Sequence, residues 1–94
     1  MNALHDRVHD VSLEQLQADL AARVQALFRR CPALCGFSLD AELFVAELAC
    51  HPPLDGQRAA MVADEIAHAL SELVDEEPEA AELIRGRTFA RSLH

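Results

Sequence analysis

The hydrophobic period of the chain changes at two proline boundaries, Cys31-Pro32 and His51-Pro52-Pro53, and this limits the possible folds more than any other feature. Before the first boundary Leu13, Leu16, Leu20, Val24, Leu27 and Phe28 recur at steps of three and four, the spacing of one helical stripe. Between the boundaries, from Ala33 to Cys50, the period is two, as in strands with one buried face. Beyond the second boundary Ala59, Val62, Ile66, Leu70, Leu73 and Val74 return to helical spacing. Proline lacks the amide donor a helix needs and steers the residue before it away from the α region, so neither helix can run into the middle segment. The expected fold is α+β in the order α-β-β-α-α, an antiparallel hairpin packed by two long helices.

Local signals fill in this outline. Ser12 and Gln15 form a capping box and Val11 is placed to staple onto Leu16, so the first helix is expected to start there. That leaves residues 1–10 as a flexible lead and 11–94 as a single domain. Arg29 and Arg30 suit the C-terminal end of the helix dipole. In the hairpin, a two-residue turn at Ala41-Glu42 would set Leu39 opposite Phe44, Phe37 opposite Ala46, Cys35 opposite Leu48 and Ala33 opposite Cys50, all on the face the helices cover. Asp55 is the expected cap of the second long helix, which would turn Asp64, Glu65, His68 and Glu72 to solvent. Pro78 opens a short helix that Gly86 ends, and Thr88 to Leu93 reads as one further helical turn.

Leu43-Phe44-Val45-Ala46 is apolar on both sides of its strand, so covering one face leaves Leu43 and Val45 bare. A homodimer that joins two hairpins into a four-stranded sheet would cover them. In a monomer, the C-terminal residues Phe89 and Leu93 would have to fold over that face. The expected interaction surface is therefore Leu43, Val45, Phe89 and Leu93, with Arg85, Arg87 and Arg91, near His94, as a basic cluster able to grip phosphate or carboxylate groups.

The chain has 94 residues and a net charge of −8, which disfavours nucleic acid and anionic membrane surfaces as partners. Its basic residues are eight arginines without a lysine; with the many alanines, this suggests a GC-rich bacterial genome. Between Asp40 and Glu82 twelve acids face a single Arg58, whereas Arg85, Arg87 and Arg91 make the C-terminal end locally basic.

Three cysteines cannot all pair within one chain, and no apolar run is long enough to span a bilayer, so reduced thiols in a cytoplasm are expected. Cys31, Cys35, Cys50 and His51 are candidate ligands for a soft metal, but their spacing lacks the paired CxxC of a zinc site, and small buried hydrophobes are the simpler reading. His5 and His9 align only if their segment is helical, and they lack an assured third ligand. No glycine-rich phosphate loop, nucleophile elbow or HExxH is present, so no catalytic residue and no cofactor are assigned. The expected function is that of an acidic interaction or accessory module acting through protein association. The alternative is a metal-binding or thiol protein using Cys31, Cys35 and Cys50.

Overall fold

A computed structural model describes residues 2–40 and 45–91, with side chains from Leu13 onward. The fold is α+β: helix α1 (Asn2–Arg30), strands β1 (Leu34–Asp40) and β2 (Val45–Cys50), helices α2 (Gly56–Glu76) and α3 (Ala80–Ile84), and strand β3 (Thr88–Ala90). The three strands form an antiparallel sheet in the order β2-β1-β3. Among the described residues no helix is long and apolar enough to cross a membrane.

Helix α1 begins at Asn2, ahead of the Ser12 cap that the sequence suggests. No glycine or proline lies between Asn2 and Arg30, so once a turn has nucleated nothing interrupts its propagation. Its buried stripe is Leu16, Leu20, Val24, Leu27 and Phe28, while Leu13 stands at the exposed margin. In α2 the Asp55 carboxylate accepts from the Arg58 amide at 2.8 Å, the expected cap, and Ile66, Leu70 and Leu73 are buried. The helices are pinned across their polar flanks by Arg23 to Glu76 at 3.2 Å and Arg30 to Glu65 at 2.8 Å. Such exposed pairs contribute at most about 1 kcal/mol each, so the buried leucines hold the layers together.

The hairpin register differs from the expected one by two residues. Leu39 lies opposite Ala46, Phe37 opposite Leu48 and Asp40 opposite Val45. The tip residues 41–44, including the expected turn at Ala41-Glu42 and the doubly apolar Leu43-Phe44, lie outside the described residues. A slip of two preserves which side chains share a face, so Phe37, Leu39, Ala46 and Leu48 still point toward the helices. Ala41-Glu42 lacks the glycine or asparagine that a tight primed turn requires, and the looser pairing follows from that.

The exception is Cys35, expected on the apolar face and found exposed. The register shifts between Leu34 and Gly36, and this bulge turns Leu34 into the core in place of Cys35.

Strand β3 replaces the helical turn expected over Thr88–Leu93. Gly86, at φ 68°, reverses the chain, and the β-branched and aromatic pair Thr88-Phe89 then enters an extended path beside β1. Phe89 lies opposite Phe37 with ring centroids 5.1 Å apart, and the Phe28 ring lies 5.6 Å from that of Phe37. Gly36 makes this approach possible, because a β-carbon there would lie 2.9 Å from the Phe89 carbonyl oxygen.

Both long helices cover one face of the sheet. On the other, Val45, Glu47 and Ala49 of β2 and Thr88 and Ala90 of β3 are exposed around Gly36 and Ser38.

Candidate functional site

Strand β3 and the last turns of α1 meet at Arg91, a residue the sequence placed in a surface cluster. Its guanidinium donates from Nε to the Leu34 carbonyl at 2.9 Å and from Nη2 to the carbonyls of Phe28 and Cys31 at 2.6 and 2.8 Å. It also lies over the Phe28 ring, 5.1 Å from the centroid. The final carbonyls of a helix have no partner within it and carry its negative pole, so a planar cation with several donors is suited to close them. The backbone amide of Arg91 donates to Cys35 at 2.9 Å, fixing the end of β3 to the bulge. Arg91 therefore joins helix, bulge and strand.

Phe89 is 6% exposed, so in the single chain it belongs to the core, not to the outer surface expected of it. Val45 is 56% exposed on the bare face, as expected. Arg85 and Arg87 are exposed, and Arg87 lies over the Phe89 ring at 5.0 Å. Leu43 and Leu93 lie outside the described residues.

Beside β3 runs a groove of about 740 Å3, with α1 as one wall and residues 87–91 as the other. The bond from the Arg91 amide to Cys35 fixes the alternation of the ladder: Phe89 and Arg91 direct their main-chain groups to β1, and Thr88 and Ala90 direct theirs away from it. Among the described residues no strand pairs with the outer side of β3, so the groove borders an open strand edge. Three of its lining side chains among the described residues are arginines (Arg29, Arg87 and Arg91) and none is acidic. Among the described residues Arg29 and Arg87 make no ion pair. Sequence reasoning missed Arg29 and the Thr88–Ala90 edge; the one available signal was the Thr-Phe pair following Gly86.

The thiols gather near the start of β1, at the end where Arg91 binds, in three different settings. Cys31 is buried, Cys35 is exposed on the bulge with its thiol 3.7 Å from the Ala33 carbonyl, and Cys50 is half-buried on the helix side of β2. Burial, and after it the neighbouring thiols Cys31 and Cys35, push the Cys50 thiol up from its ordinary value. The shift favours the protonated form, which ligates metal poorly. His51 is exposed, its backbone amide bound to Ala33 at 2.8 Å. Among the described residues no three His, Cys, Asp or Glu side chains form a group that could hold a metal ion.

No protein-family model matches the chain, and comparison with curated proteins and with solved structures finds no match either.

Proposed function

We propose that this chain is a non-enzymatic interaction or accessory module that works by associating with other protein chains, and that one of those associations is a homodimer formed along β2. The observation that carries this reading is the one-sided sheet, with helices covering one face, an exposed Val45 on the other, and β2 at an edge. An uncovered edge strand presents main-chain donors and acceptors to any chain that can pair with it. Phe37 directs its main-chain groups to β3, so those of Leu48 opposite it, and of Ala46 two residues away, point outward. Two copies joined there would form a six-stranded sheet, in place of the four-stranded one expected from the hairpin alone, and set a partner strand beside Val45.

Light scattering at micromolar concentration tests it. The wild-type chain should have about twice its 10.3 kDa mass. Val45→Lys, which puts on an edge strand the charge that natural sheets use against such pairing, should return the single-chain mass with an unchanged circular dichroism spectrum. A wild-type protein that stays at the single-chain mass contradicts the dimer.

A further inference from the structure

We infer that the groove between α1 and β3 receives an acidic, extended segment of another protein, which adds to the sheet as a fourth strand. This rests on the reading of the chain as an association module and names the partner of a second edge. Two independent features of the groove support it. The outward main-chain groups of Thr88 and Ala90 offer two donors and two acceptors in strand geometry, the requirement for β-augmentation. Among the described residues the groove's charged side chains are all arginines, in a chain whose net charge is −8. A cationic groove on an acidic protein repels anions less there than elsewhere and selects carboxylate-bearing partners by complementarity.

The geometry also specifies the pattern of the partner. Arg87, Phe89 and Arg91 share the helix-side face of β3, with Arg91 beside Phe28 and Arg87 at the opposite end of the strand. At about 3.3 Å per residue the two arginine positions are about 13 Å apart. Three of the Arg91 donor bonds are already made to carbonyls, which leaves Arg29 to meet a ligand at that end. A paired strand would therefore carry a carboxylate facing Arg87 and another facing Arg29, with an apolar side chain between them over Val24 and Phe89. The recognised pattern is acid, any, apolar, any, acid.

A second copy of this chain is a poor occupant. Two-fold pairing of β3 strands centred on Phe89 would set Arg87 of one copy opposite Arg91 of the other, and like charges directly opposite each other destabilise a sheet.

The test is a titration of the protein with a labelled peptide Ser-Glu-Thr-Val-Thr-Glu-Ser, followed by fluorescence anisotropy and by amide chemical shifts. Binding should move the amides of Thr88 and Ala90 most. It should weaken about fivefold for each of Arg29→Ala and Arg87→Ala, the effect of one partly exposed ion pair. Both arginines are on the surface, and the unliganded amide spectrum reports whether each variant keeps the fold.

A Lys-for-Glu peptide, a scrambled peptide with adjacent glutamates, and a peptide N-methylated at the paired positions should all bind much more weakly, and they need no protein variant. Absence of binding overturns the inference. So does equal binding by the scrambled or N-methylated peptide, or by single-stranded oligothymidylate, because each lacks either the main-chain pairing or the acids at the two required positions. The two readings fail separately. Peptide binding by a wild-type chain that stays at the single-chain mass refutes only the β2 dimer, and a wild-type dimer that binds no peptide refutes only the groove; the monomeric Val45→Lys variant should still bind the peptide.

Discussion

Replacing Arg91 with alanine removes three charge-assisted bonds and one ring contact from the junction of α1, the bulge and β3. Bonds of this kind contribute roughly 1.5–3 kcal/mol each where water is excluded. Arg91 is only part-buried, so water can reach some of the carbonyls it leaves, and a net value below that range, about 1 kcal/mol per bond, applies. The expected loss is about 3 kcal/mol, a large share of the margin of a domain this small. Arg91→Lys keeps the charge but not the planar fork, and should lose about half as much.

Urea unfolding with linear extrapolation measures both variants, and in a thermal scan the alanine variant should melt roughly 12–24 °C lower. Arg91 acts as a structural clamp. If Arg91→Ala costs less than about 0.5 kcal/mol, the usual effect of a surface substitution, the clamp does not hold α1 to β3.

Gly36→Ala should cost about 1–3 kcal/mol, because the added carbon meets the Phe89 carbonyl at 2.9 Å; faster amide exchange in β3 than in β2 would locate the damage. Asp55→Ala should remove about 1 kcal/mol with the α2 cap, measured by the same unfolding curves. At mildly alkaline pH an alkylating reagent should modify Cys35 well before Cys50, which peptide mapping would resolve; Cys50 reacting first would contradict its raised pKa. A thiol whose folded pKa is raised favours folding below its unfolded value. Stability from Cys50 should therefore fall as pH rises through the thiol range, and a Cys50→Ala variant should lack that part of the slope.

The long elements were legible because each repeats its signal many times. The α1 and α2 stripes and the period-two segment are read from residues that share a local cause, and Asp55 caps where its position before the helix indicates. What was not legible depends on partners distant in sequence. Phe89 and Leu93 have helical spacing, and Thr88–Ala90 becomes a strand because Gly36 leaves room for it beside β1. The bulge that exposes Cys35 is a property of two strands, and periodicity within one could not reveal it. Arg91 binds carbonyls, which every residue has, so no residue type marks its partners. Of the expected site, Val45 remains an exposed apolar residue, whereas Phe89 serves the core and Arg91 the scaffold.

Amide hydrogen exchange at Ala46 and Leu48, followed over a dilution series, most directly tests association through the open sheet. Both amides point away from β1, so they should be protected at high protein concentration and exchange rapidly on dilution, while the β1-paired amides of Glu47 and Ala49 stay protected throughout. Exchange at Ala46 and Leu48 that is fast at every concentration would contradict pairing along β2.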